Sequence, residues 1–171
     1  MTNTQTARKV SPSRIFLIAA LVFIIGWVAM RLVAPERPTL LAGSRPANLG
    51  VEAGQLAPCP PTPNCVNSQS NLPSQAIPPL TFQGNPDQAL PQIENIVKKL
   101  DRTRIITSTD RYLYAQFSSH WMGFVDDVEF VLNPEQKWVD VRSASRLGES
   151  DLGVNRQRVE EIRAKFSPLE L

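Results

Sequence analysis

The stretch "FVDDVEFVLNPEQKWVDVRSAS", residues 124–145, holds two alternating runs on either side of a turn. Phe124, Val128, Phe130 and Leu132 share one side of the first run, and Val139 and Val141 share one side of the second. Alternate side chains of a strand point to opposite faces, so each run is a strand with one apolar face. "NPEQ" between them is turn sequence, which predicts an antiparallel hairpin. A turn at 133–136 pairs Leu132 with Lys137, Phe130 with Val139 and Val128 with Val141. The same register sets Asp126 opposite Ser143 and Phe124 opposite Ser145 on that face. On the other face Asp127 meets Arg142. Glu129 meets Asp140, a like-charge contact that a cation or solvent must offset.

The pattern extends in both directions. "TRIITST" (103–109) is rich in β-branched residues, and "YLYAQFSS" (112–119) alternates with Leu113, Ala115 and Phe117 on one face. Short loops, "TDR" and "HWMG", connect them, so a meander is the economical topology. Upstream, Asn85 and Pro86 read as a helix cap and first turn, with Leu90, Ile93, Val97 and Leu100 at helical spacing. Downstream, residues 153–166 predict a last helix with Val159, Ile162 and Phe166 facing the sheet. The expected fold class is α+β: an antiparallel four-stranded meander packed with two helices.

A carboxylate on a core-facing side is costly unless it is paired or hydrogen-bonded. Asp126 therefore needs partners. Ser143, Ser145 and an arginine folding over the sheet end are local candidates. Asn155 lies four residues before Val159, on the same helical face. The spacing predicts that Asp126, Ser143, Ser145 and Asn155 converge where the last helix starts. The segment "VRSASRLGESDLGVNRQRVEEIR" (141–163) supplies five arginines around that point.

The N-terminal half differs. Residues 15–30, "IFLIAALVFIIGWVAM", carry no charge. With Arg31 snorkelling and 32–34 following, the run reaches the ~20 residues needed to cross the hydrocarbon core. Two readings stand, an uncleaved anchor and a signal peptide. "LVA" before Pro35 is a poor cleavage site, which favours the anchor. A core helix does not fit a run that is apolar all round. Three cations precede it (Arg8, Lys9, Arg14) and three follow it (Arg31, Arg37, Arg45), so charge does not fix orientation. The expected organisation is a basic tail (1–14), an anchor or signal segment (15–34), a linker (35–55) and an α+β domain (56–171).

Residues 35–91 hold 12 of the 15 prolines, which disfavours long helices and central strands there. Cys59 and Cys65 are the only cysteines. A disulfide between them fits an exported domain and would stabilise by about 2 kcal/mol in the chain-entropy picture. Zinc fits poorly, since His120 is the single histidine and a closed site takes about four ligands. Redox motifs usually separate their cysteines by two residues, and here five intervene.

"CPPTPNCVNS", "FVDDVEFVL" and "VRSASRLGESDLGVNRQRVEEI" together resemble the uncharacterised family known as domain of unknown function 1499, over roughly residues 56–166. The resemblance implies a "CP…PNCV" segment (Cys59, Pro60, Pro63, Asn64, Cys65) and an acidic strand (Asp126, Asp127). It also implies an Arg-Ser segment leading to "DLGVNR" (Arg142, Ser143, Ser145, Arg146, Gly148, Asp151, Gly153, Asn155, Arg158). It further implies a membrane-anchored or exported protein, and brings no activity, substrate or catalytic residue.

Three functional classes follow. The first is a structural or interaction domain on the outer face of a membrane, in the periplasm or thylakoid lumen, with a possible protein partner. Here the arginines and Asp126–Asp127 form ion pairs locking strand to helix. The second is a site for a small anion or lipid headgroup, with Arg142, Arg146, Arg156 and Arg158 as cations beside Asp126, Ser143, Ser145 and Asn155. The third is a hydrolase or transferase with Ser143 or Ser145 as nucleophile and His120 as base. No "GxSxG" elbow supports it. An acidic metal site from Asp126, Asp127 and Glu129 is opposed by alternation, which turns Asp126 away from the other two. Phosphate-loop and dinucleotide fingerprints are absent, so no cofactor is expected. Without Arg8, Lys9 and Arg14 the body has 15 basic residues against 16 acidic, which argues against nucleic acid.

Overall fold

The computed structural model describes residues 11–35, 37 and 39–166. It divides after Pro35 into two compact units. The first contains α1, Pro12–Val33, a 22-residue helix. At 1.5 Å per residue it is about 33 Å long, and it is apolar enough to cross a membrane. The helix starts at Pro12, before the apolar run, because proline is preset for a first helical turn. Beyond its last turn an Arg31 guanidinium nitrogen donates to the Pro35 carbonyl at 2.6 Å. Arg8 and Lys9 lie outside the described residues.

The second unit is built on an antiparallel sheet. In chain order its elements are β1 (Val51–Glu52), β2 (Gln55–Leu56), β3 (Cys65–Asn67), β4 (Leu80–Thr81), α2 (Ala89–Lys98), β5 (Thr103–Ser108), β6 (Tyr112–Ser118), β7 (Val125–Asn133), β8 (Trp138–Ser145) and α3 (Val154–Phe166). β1 and β2 form a separate hairpin that spans the boundary between the stretch that reads as a linker and the α+β domain. β5 to β8 pair successively. The sheet has six strands, not the expected four, because β3 and β4 both join β8 at its outer edge. The proline-rich segment contributes them because its prolines flank the pairing residues. Pro63 precedes Cys65, and Pro78 and Pro79 precede Leu80. Two- and three-residue edge strands tolerate such neighbours.

The β7–β8 register lies two residues from the expected one. Asn133 pairs with Trp138, Leu132 with Val139, Phe130 with Val141, Val128 with Ser143 and Asp126 with Ser145. The turn spans Pro134 to Lys137, and Lys137 adopts a left-handed conformation (φ 55°). A shift of two preserves which face each residue occupies. The core is therefore as the alternation predicts, with Leu113, Val128, Phe130, Val139 and Val141 fully buried. The charge pairs are not. Glu129 faces Arg142 rather than Asp140, and Asp127 faces Ala144 rather than Arg142.

Phe124 also departs from expectation. It precedes β7, bonds with Ser119 across the turn, and is 42% exposed, because the chain leaves the sheet there.

α2 and α3 cover the apolar face through Leu90, Ile93, Val97, Val159, Ile162 and Phe166. Asn85 caps a short 3₁₀ turn, Pro86–Gln88, by accepting the Asp87 N–H at 3.0 Å. That turn leads into α2. Pro91 falls in the first turn of α2, where its missing N–H leaves no bond unmade. Asp151 performs the same service for α3. Its two carboxylate oxygens accept from Gly153 N (3.0 Å) and Asn155 N (2.7 Å).

Candidate functional site

On the core-facing side, where β8 meets α3, Asn155 is fully buried and organises the junction. Its Oδ1 accepts from Ser143 Oγ and from Arg158, each at 2.6 Å. Its Nδ2 donates to the Asn64 carbonyl and to Ser145 Oγ, each at 2.9 Å. Two donors and two acceptor positions are all an amide offers, so the side chain is saturated. Arg158 donates to Asp126 at 2.5 Å and to Ser143 Oγ at 3.1 Å, and it lies 4.7 Å from the Phe117 ring centre. Asp126, Ser143, Ser145 and Asn155 are thus brought together as their spacing predicts. Arg158 supplies the counter-charge for the core-facing carboxylate.

The opposite face carries a second network. Arg146 grips Asp127 with two parallel bonds, Nε to Oδ2 at 2.8 Å and a terminal nitrogen to Oδ1 at 2.7 Å. The Tyr114 hydroxyl donates to the same Oδ1 at 2.5 Å. One step along the strands, Glu129 pairs with Arg142 at 3.2 Å. It also accepts from the Tyr112 hydroxyl (2.8 Å) and the Gly50 N–H (2.7 Å). Asp127, Glu129 and Arg142 are at most 5% exposed. Part of that cover comes from residues 43–50. Gly50 reaches Glu129, and the Arg45 guanidinium lies 4.5 Å from the Tyr114 ring centre. Burial pushes both phenols up, Tyr112 well above its ordinary value, and the adjacent carboxylates raise them further. The hydrogen bonds that Arg146 donates to Asp127 raise the arginine in turn, stabilising its charge.

Arg156 joins neither network. It donates to the carbonyls of Ser74 (3.2 Å) and Ala76 (2.9 Å), pinning the proline-rich segment to α3. Arg142 meets Glu129, while its buried Nε has no hydrogen-bond partner among the described residues. The two candidate nucleophiles do not face a base. Ser143 is bound to Asn155 and Arg158, and Ser145 to Asn155. His120 sits in the β6–β7 turn with its ring against Trp121, centroids 4.5 Å apart. Among the described residues no three acidic, histidine or cysteine side chains are grouped to hold a metal ion.

Cys59 and Cys65 form a disulfide, with Cα atoms 5.6 Å apart. The neighbouring Asn64 links this loop to the junction. Its carbonyl accepts from Ser145 N (3.0 Å) and Asn155, and its Nδ2 donates to the Gly148 carbonyl at 2.6 Å. Spacing gave no hint of this role; only the "PNCV" motif marked Asn64. A third polar cluster was equally hidden. Asp140 accepts from Ser68 (2.6 Å), Asn133 (2.7 Å) and Gln69 (3.0 Å), two of them some 70 residues earlier in the chain.

The model of a family described as a protein of unknown function, DUF1499, matches residues 55–166, from β2 to the end of α3. No curated protein matches the chain.

Proposed function

This chain belongs to the DUF1499 family, and we propose that it is a membrane-anchored, extracytoplasmic structural or interaction module of the cell envelope. Its Arg-Ser segment is a lock between the sheet, the last helix and the disulfide loop. One observation carries this reading: Arg142, Arg146, Arg156 and Arg158 all donate to acceptors of the protein itself. Each of these guanidinium groups already holds a carboxylate or a carbonyl of the fold, so its charge and geometry are engaged within the protein rather than offered to a phosphate or headgroup. The compartment is supported by the apolar helix α1 and by a disulfide that reducing compartments would disfavour. The folded unit then stands outside the membrane on a short tether, placed to meet a protein partner.

Thermal unfolding of the full chain in detergent, across a panel of phosphate, pyrophosphate, sulfate and glycerophosphate at matched ionic strength, tests the assignment. The expected result is the same melting temperature throughout. A saturable rise with one anion, abolished by Arg158→Met in a still-folded variant, would replace the lock with an anion site.

A further inference from the structure

One end of the sheet presents an apolar surface that the lock does not use. In the β6–β7 turn Trp121 is 56% exposed and Met122 45%, and Phe124 beside them is 42% exposed. Leu40 (98%) and Leu147 (47%) lie on neighbouring segments. These segments are held to the turn. Thr39 Oγ1 donates to the Met122 carbonyl at 3.0 Å. Gly123 leaves room for the Thr39 side chain: a Cβ there, at φ +71°, would fall 2.4 Å from Thr39 Cγ2. Gly43 likewise leaves room for Leu147, whose Cγ would be 2.8 Å from an added Cβ.

The covalent chain limits where this surface can be. α1 ends at Val33, and Thr39 follows six residues later. Six fully extended residues span at most about 20 Å. The headgroup layer extends several ångströms beyond the hydrocarbon core. A turn bonded to Thr39 is therefore tethered within reach of the headgroups at a high effective concentration. Its chemistry suits that location, because tryptophan is enriched at the membrane interface, and methionine and phenylalanine are apolar neighbours.

We propose that the β6–β7 turn, with Trp121, Met122 and Phe124 at its tip, is a lipid-docking surface. It lays the domain against the leaflet from which α1 emerges. This rests on the reading of α1 as an uncleaved anchor. The opposite end of the sheet, with the exposed Glu135 in the β7–β8 turn, then faces away from the bilayer. β7 joins the two ends through nine residues, about 30 Å.

The test uses the full chain in phosphatidylcholine vesicles, with an environment-sensitive fluorophore on Met122→Cys or, as the distal control, on Glu135→Cys. The native disulfide is left intact. Carbonate extraction and intact mass establish separately whether α1 is retained. With α1 retained, the label at 122 is expected to shift to the blue and to be quenched by lipids carrying a shallow nitroxide, while the label at 135 does neither. Retained α1 with no quenching at 122 overturns the docking surface and leaves the anchor standing. A blue shift without lipid quenching means that a second copy of the chain covers the turn, which also overturns it. A chain found cleaved after α1 removes the anchor and the proposal together.

Discussion

Replacing Arg146 with methionine should be among the most damaging single changes in the domain. Methionine keeps much of the arginine stem and removes every donor. Asp127 would lose both bonds of the fork, at 2.7 and 2.8 Å, and retain only the Tyr114 hydroxyl. The pair's side chains are 6% and 1% exposed, so water could not rehydrate the stranded carboxylate without opening the sheet face. Breaking a buried pair from one side costs about 3–5 kcal/mol, a large part of the roughly 5–15 kcal/mol that holds a domain together. Asp127→Asn alone strands the arginine and should cost a similar amount. The double variant buries neither charge, and its carboxamide oxygen can still accept from Tyr114. It should therefore be less damaged than the sum of the single changes, with a coupling on the order of 2–3 kcal/mol. Guanidinium unfolding of the full chain in detergent micelles, followed by tryptophan fluorescence and circular dichroism, measures all four corners of the cycle. If Arg146→Met costs less than about 1 kcal/mol, or the two changes simply add, the pair is not the lock described above.

The tyrosines give a pH test, since Tyr112 and Tyr114 are the only two in the chain. Both phenols are raised above 10.0 in the fold, so the native state holds their protons more tightly than the unfolded chain does. That contribution to stability is complete below pH 10 and is lost as the pH rises above it. Ultraviolet titration should therefore show tyrosinate only as the protein unfolds in alkali; a native titration midpoint near pH 10 would contradict the buried network. At the strand–helix junction, Asn155→Leu deletes four hydrogen bonds and leaves Ser143, Ser145, Arg158 and the Asn64 carbonyl each short of a partner. A loss of at least about 2 kcal/mol is expected in the same unfolding assay; an unchanged midpoint would mean that Asn155 does not organise the junction.

Local sequence determined which way side chains point. Alternation sorted Val128, Phe130 and Leu132 to the core, along with Val139 and Val141. It continued to do so when the register moved by two, because such a shift preserves parity. The same logic placed Asp126 on the core side with Ser143, Ser145 and Asn155, since strand and helix periods are short-range properties. The unbroken apolar run likewise announced α1. Charge partnership was another matter. Whether Glu129 meets Asp140 or Arg142 depends on two residues of register, and those are set by the left-handed Lys137 in the turn. Arg146 lies beyond the strand end and reaches Asp127 by the length of its side chain, which no spacing rule specifies. β3 and β4 were hidden because their prolines suggested an unpaired belt, while the few residues between those prolines found the edge of β8. Asp140 draws partners from that same belt. Periodicity is written in neighbouring residues, so the sequence alone decided the faces. Ion pairs, edge strands and buried carboxylates depend on segments far apart in the chain, so only the tertiary structure could decide which of them meet.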